Sequence, residues 1–422
     1  MAIAGIPIEF ILFALTLLGV ALFHRQTLYV ALTGMVAIAA FKLGFTDFSL
    51  PKHLAHEWVT LANLLGLLLG FALLADHFEK SEIPAILPNY LPDDWKGGFV
   101  MLVLVFVISS FLDNIAAAMI GGSMAAVLYQ KRVHIGFLAA IVAASNAGGA
   151  GSVVGDTTTT MLWIAGVSPL QVLYAYTAAV PALVFFGVIA ARQQHAYQPI
   201  MKDAKVGAQI EFARLGIVAI ILLSAVGANI WFNLNSPATL GQLPVIGIAV
   251  LLAVLATSVW RKPTWSLLPN AFQGSVFLLA LVMCASMMPV DKLPAASWPS
   301  TLGLGFLSAV FDNIPLTALA LRQGGYDWGV LAYAVGFGGS MIWFGSSAGV
   351  ALSNMYPEAK SVGAWIKGGW HVAVGYVLGF AVLMAVHGWH PQPIRGKNSA
   401  APAASAPALP AAPAILSIPF AT

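Results

Sequence analysis

An aspartate–asparagine pair occurs twice inside apolar sequence. The first lies in SSFLDNIAAAM as Asp113 and Asn114, the second in SAVFDNIPLTAL as Asp312 and Asn313. A carboxylate at membrane depth is costly unless it has partners, so each is a candidate functional group. Each acid can cap a half-helix, with Asn114 and Asn313 satisfying loose backbone groups. A neutral Asn or Ser would cap at lower desolvation cost, so capping alone does not account for the charge. Carboxylates beside exposed carbonyls form a hard-oxygen site for a small cation. The same carboxylate can take up a proton when the cation leaves. Cation and proton competing for one site is the simplest mechanism of antiport.

Each pair is followed by a glycine-punctuated segment, GGAGSVVG from Gly148 and GGSMIWFG from Gly338. Gly148, Gly149 and Gly155 match Gly338, Gly339 and Gly345 in spacing, and close helix packing or a helix break explains such glycines. The stretch SNAGGAGSVVGDTTTTMLW, Ser145 to Trp163, is the richest polar run at membrane depth. Asn146 and the carbonyls around Gly148–Gly151 offer oxygens. Asp156 adds a third acid, and Thr157 to Thr160 put hydroxyls on every face of the next turn. The second copy carries Ser340, Ser346, Ser347, Ser353 and Asn354 instead, with Ser346 in register with Asp156. The two half-sites are therefore unequal, and the first is more acidic. An aspartate at a half-helix N-terminus cancels the usual preference for anions and argues for a cation.

These residues need a membrane scaffold. Of 422 residues, 59% are hydrophobic and 8% charged, against about 25% charged in soluble domains. The expectation is an all-α polytopic membrane protein, with the lipid bilayer as partner and no basic patch for nucleic acid. The N-terminal run lacks a basic n-region and a small-residue cleavage site, so it reads as a retained first helix. Apolar runs predict spanning helices near 5–23, 26–46, 58–76, 169–191, 212–232, 242–260, 267–289 and 362–388. Residues 98–128 and 298–322 are interrupted at the Asp-Asn pairs and read as re-entrant hairpins; 135–165 and 328–355 are interrupted at the glycines and read as broken helices.

Each half then holds three helices, a hairpin, a broken helix and a final helix. Five spanning elements is an odd number, so the second half starts on the opposite side and the repeat is inverted. The copies are offset by 312 − 113 = 199 at the acids and 338 − 148 = 190 at the glycines. The division is 1–191 for the first repeat, 192–211 for a cytoplasmic linker, 212–388 for the second repeat and 389–422 for a disordered Ala/Pro-rich tail. Placing the linker inside puts 13 Lys and Arg on the cytoplasmic side and 6 outside, with both termini outside.

Other polar residues have plainer readings. Arg322 and Lys367 snorkel at membrane edges. Glu9 and Asp76 are interfacial, His24 and His134 face water, and His371 is a packed, hydrogen-bonded histidine. Trp163, Trp260, Trp298, Trp328, Trp365 and Trp389 fit an aromatic belt. The single cysteine, Cys284, is a buried small side chain.

SNAGGAGSVVGDTTTTMLW, FLDNI and FDNIPL resemble the signatures of NhaD-type sodium/proton antiporters, within a superfamily that includes arsenite permeases and citrate or dicarboxylate carriers. The resemblance spans roughly residues 58–388 and is tightest in 110–165 and 308–356. It implies an elevator-type carrier, usually a homodimer, in a bacterial-type cytoplasmic membrane. It also implies that Asp113, Asn114, Ser145, Asn146, Asp156, Thr157, Asp312 and Asn313 lie at the substrate site. Thr158 and Ser346 join them by position. One departure is Gly151, where the family carries a large residue, often tryptophan, before Ser-Pro; here Ser152 is followed by Val153.

The expected function is exchange of Na+ or Li+ for protons, without cofactor or covalent catalysis, with a Na+ site at Asp113, Asp156 and Asp312. A citrate or dicarboxylate symporter and an arsenite efflux permease are alternatives within the superfamily. An intramembrane aspartyl hydrolase would need two acids within hydrogen-bond reach.

Overall fold

The computed structural model describes residues 2–3, 5–23, 26–86, 90–201 and 209–393. His24, residues 202–208 of the expected linker, and the expected tail from 394 on lie outside the described residues. A two-residue pairing of β1 (Ala2–Ile3) with β2 (Ile6–Pro7) precedes an otherwise helical chain. The first half runs α1 (Ile8–Leu22), α2 (Thr27–Phe45), α3 (Leu50–Glu79), α4 (Ile83–Ile86), α5 (Trp95–Ser109), α6 (Asn114–Leu128), α7 (Ile135–Ala150), α8 (Thr157–Ile164), α9 (Pro169–Leu173) and α10 (Tyr176–Tyr197). The second runs α11 (Phe212–Asn235), α12 (Pro237–Leu240), α13 (Val245–Thr257), α14 (Leu268–Ser286), α15 (Trp298–Ser308), α16 (Asn313–Gln323), α17 (Trp328–Gly338), α18 (Ser347–Met355), α19 (Val362–Gly368) and α20 (Trp370–His387).

Six stretches among the described residues are long and apolar enough to cross a membrane. They are Thr27–Phe45, Leu50–Glu79, Pro169–Tyr197, Phe212–Phe232, Trp265–Ser286 and Trp370–His387. The elements bearing the Asp-Asn pairs are shorter. Helices α5 and α6 have 15 residues each, about 22 Å at the usual rise and less than the ~30 Å hydrocarbon thickness. The chain reverses at Ser110–Asp113 between them and at Ala309–Asp312 between α15 and α16. The glycine segments break the next helices, leaving residues 151–156 between α7 and α8 and 339–346 between α17 and α18.

Helices α7 and α17 have no polar face in sequence, so protein or lipid must cover them all round. Every residue from Gly136 to Ala150 and from Trp328 to Gly338 is buried. These two helices pack together, and each also packs on the first arm of its own hairpin, α5 or α15. The second arms cross over: α6 packs on α18, and α16 on α8. An outer group joins α1 to α2, α11 to α13, and α3 to α13 and α14. Glycine permits close approach there, since a Cβ on Gly66 would lie 2.9 Å from Gly247 Cα. Asn63 Oδ1 accepts the Gly247 N–H at 3.0 Å across the same contact.

Several boundaries differ from expectation. α3 starts at Leu50, because Pro51 fits a first helical turn. α10 runs to Tyr197, past the expected boundary at 191. Residues 362–388 divide at Gly369 into α19 and α20. Asp76, near the end of α3, is buried within the protein, accepting the Thr264 N–H and hydroxyl at 2.9 Å each and pairing with the exposed Lys80. Glu9 is buried as well. Trp163, Trp328 and Trp365 are core residues, so they form no belt, whereas Trp260 and Trp298 are exposed. Cys284 is buried in α14.

Candidate functional site

Four helix N-termini carry the side chains singled out in the sequence. Asp113 caps α6, accepting the Ile115 N–H at 2.9 Å, and Asp312 caps α16, accepting the Ile314 N–H at 3.0 Å. Their backbone angles are nearly identical, φ −51 ψ 142 and φ −51 ψ 141. Asp156 caps α8 through the Thr158 N–H at 2.9 Å, and Ser346 caps α18 through the Gly349 N–H at 3.3 Å. Each chain reversal thus ends in an acceptor that satisfies the first orphan donors of the following helix.

The two copies repeat one another contact by contact. Thr157 donates to Asp113 at 3.4 Å, and Ser347 donates to Asp312 at 3.1 Å. Ser109 donates to the Ser145 carbonyl at 2.5 Å, and Ser308 to the Val335 carbonyl at 2.8 Å. A Cβ on Gly148 would lie 2.1 Å from the Phe106 carbonyl oxygen, and one on Gly338 2.2 Å from that of Gly305. Gly149 and Gly339 likewise face the carbonyls of Gly155 and Gly345, at 2.6 and 2.7 Å from a built Cβ. The glycines let hairpin backbone touch the helix break.

Asn146 joins the halves. Its Oδ1 accepts from Asn114 at 3.0 Å, while its amide nitrogen donates to Ser340 at 2.9 Å and Ser346 at 3.1 Å. Asn114 also donates to Asp156 Oδ2 at 3.2 Å. Thr159 and Thr160 tie off the Ser152 and Val153 carbonyls at 2.5 and 2.9 Å. Among the described residues the buried Asn313 amide nitrogen has no hydrogen-bond partner. Ser353 and Asn354 bond within α18 and to Lys360, away from this network.

Asp113, Asp156, Thr157 and Thr160 line one small cavity, closed by Val154 and by Leu64, Leu67, Leu68 and Phe71 of α3. Its size suits a single water or a bare monatomic ion. Asp312 does not line it. Among the described residues no group of three His, Cys, Asp or Glu side chains stands close enough to hold one ion. Of the three acids expected to share a site, two line this cavity. Asp113 and Asp156 share a cavity, while Asp312 is held by Ser347 and the α16 backbone. Among the described residues no Lys, Arg or His pairs with these three acids; Arg322 pairs with Glu57 at 3.5 Å.

Two contributions escape the motifs. The α3 wall has no polar signal, because its residues read as ordinary membrane leucines. The hydroxyl of Tyr176, at the start of α10, lies within hydrogen-bond distance of Ser110 Oγ (2.8 Å) and of the Gly148 carbonyl (2.9 Å). Ser109 and Ser110 were visible in the SSFLDN motif itself. His371 packs as expected, buried against Gln193 at 3.1 Å, while His134 caps α7 rather than simply facing water.

No family model matches the chain. Sodium/proton antiporter 1 of Arabidopsis thaliana is 28% identical over 369 residues, covering 79% of this chain and 61% of the relative. The Na+/H+ antiporter NhaD of Alkalimonas amylolytica is 28% identical over 68% of each chain. The NhaD of Vibrio cholerae is 27% identical over 67% of this chain and 68% of its own length. The chain therefore spans about three fifths of the length of the first of these relatives. Together with the two Asp-Asn hairpins and the polar break between α7 and α8, these matches make the chain similar to the NhaD-type sodium/proton antiporters.

Proposed function

We propose that the chain is a secondary transporter exchanging Na+ or Li+ for protons across a bacterial-type cytoplasmic membrane. The observation that carries this reading is the cavity shared by Asp113 and Asp156. Two carboxylates, a threonine hydroxyl and an apolar wall suit a dehydrated small cation, and the same carboxylates can hold protons when it leaves. The names of the relatives favour exchange over carboxylate symport or arsenite efflux. Transport requires no cofactor and no covalent step.

Asn114, Asn146 and Ser346 position the acids in this reading, and Asp312, Asn313 and Ser347 form the second half-site. Ser145 holds the hairpin through its carbonyl, and Thr158 holds Asp156 through its backbone N–H. Residues 1–191 and 212–388 are inverted repeats, supported by the matched contacts of the two hairpins and two breaks. The hairpins and broken helices form the moving body of an elevator, α3 and its neighbours form the scaffold, and two copies form a homodimer. Both termini lie outside.

The test is purified protein in liposomes with an internal pH dye, pulsed with Na+, Li+, K+, citrate or arsenite. Sodium or lithium should move protons, with apparent sodium affinity falling as pH drops and the maximum rate recovered at saturating sodium. A pH-independent sodium affinity removes the shared site. Citrate or arsenite uptake without sodium-driven proton movement removes the exchange reading.

A further inference from the structure

We infer that Tyr176 is a positioning residue for the cation site, clamping the first hairpin tip to the helix break; this rests on the exchange reading above. Tyr176 belongs to none of the motifs and does not line the cavity. Its hydroxyl nevertheless reaches both halves of the site's frame. It lies 2.8 Å from Ser110 Oγ at the tip, three residues before Asp113, and 2.9 Å from the Gly148 carbonyl in the last turn of α7, so its single proton can serve either acceptor. Ser110 also donates to that carbonyl, at 3.2 Å, closing a three-member cluster. The Tyr176 ring is fixed in turn against Phe106, with centroids 5.7 Å apart.

Two further observations make the clamp specific. First, the second half lacks its serine member, and there Tyr376 bonds the Leu302 carbonyl instead. Ser308 repeats the contact of Ser109, but Ala309 stands where Ser110 stands and has no hydroxyl to offer. The half with two carboxylates at one cavity has the additional tie, as expected where like charges must be held together without a bound cation. Second, Gly151 leaves the space the ring occupies. A Cβ there would lie 2.5–2.6 Å from three ring atoms, so ring and side chain exclude each other. Gly151 has φ −97, which any residue adopts, so the ring and not the backbone is what demands glycine.

The test uses the full chain with Tyr176→Phe, Gly151→Ala and the double substitution. Half-saturation by sodium is read twice, from exchange in liposomes and from the sodium-induced rise in melting temperature. Tyr176→Phe removes the hydroxyl alone and should raise half-saturation about 3- to 10-fold, with maximum rate within about twofold. Gly151→Ala displaces the ring and should reproduce the effect. The double variant should be no worse than the worse single one, because both break the same clamp. A merely structural role would lower the sodium-free melting temperature and leave half-saturation in place. Unchanged half-saturation in Tyr176→Phe, or effects that multiply in the double variant, overturns the inference. Wild-type protein whose melting responds to sodium but which moves no protons overturns the exchange reading and leaves the melting readout to judge the clamp. No response in either overturns both.

Discussion

Replacing Asp156 by serine separates its capping role from its charge. Asp156 accepts the Thr158 N–H at 2.9 Å and the Asn114 amide at 3.2 Å. Ser346 already performs the first task at the start of α18, and Ser and Asp are near-equal caps. The structural loss is therefore the Asn114 contact, about 1 kcal/mol. The electrostatic loss is larger. A monovalent cation about 4 Å from a carboxylate gains roughly 4 kcal/mol at an effective dielectric constant near 20. Cheaper burial of the neutral hydroxyl offsets part of this, and ~3 kcal/mol remaining corresponds to about 100-fold in affinity. Asp156→Ser should thus insert and melt within a few degrees of the parent, while sodium half-saturation rises at least about 100-fold. The assay is sodium-driven pH change in liposomes, beside thermal melting in detergent. Half-saturation within about threefold of wild type would refute the ligand role and leave Asp156 as a cap.

The glycine contacts predict opposite outcomes for chemically identical changes. Gly148→Ala and Gly338→Ala put a Cβ 2.1–2.2 Å from a backbone carbonyl oxygen and should each destabilise the fold by about 1–3 kcal/mol. Gly216→Ala in α11 meets nothing within 4 Å and should be neutral or stabilising by up to ~1 kcal/mol. Thermal melting reads all three. In a Cys284→Ser background, cysteine at Lys131 should react only with membrane-permeant reagents, and cysteine at Lys292 also with impermeant ones; same-side labelling would remove the inverted topology. At the start of α11, Arg261 and Arg214 hold the Glu211 carboxyl below its ordinary value. The folded value is depressed, so this contribution is present near neutral pH and lost as pH falls below about 4.5. Glu211→Gln should lower stability at pH 7 slightly and flatten the acid limb of a melting-temperature profile.

The frame of the site was legible because polar residues in an apolar chain have few explanations. Asp113, Asp312 and the glycine pairs each marked a place where helical backbone must stop, and the structure breaks its helices there. The unequal register of Asp156 and Ser346 likewise became two caps of different charge. What stayed hidden was partnership. Asn146 reads as an oxygen donor to a cation, yet Asn114, Ser340 and Ser346 already engage its amide oxygen and nitrogen. Asp156 and Asp312 look like members of one site, but only Asp156 shares the cavity with Asp113. The α3 leucines close that cavity through shape alone, which leaves no trace in residue type. Tryptophans misled for the same reason: Trp328 starts α17 and Trp365 lies within the short α19, but the neighbouring helices bury both. A membrane sequence declares where charge must be compensated. It says less about which neighbour compensates it, because that is decided by helix packing among side chains that are nearly all apolar.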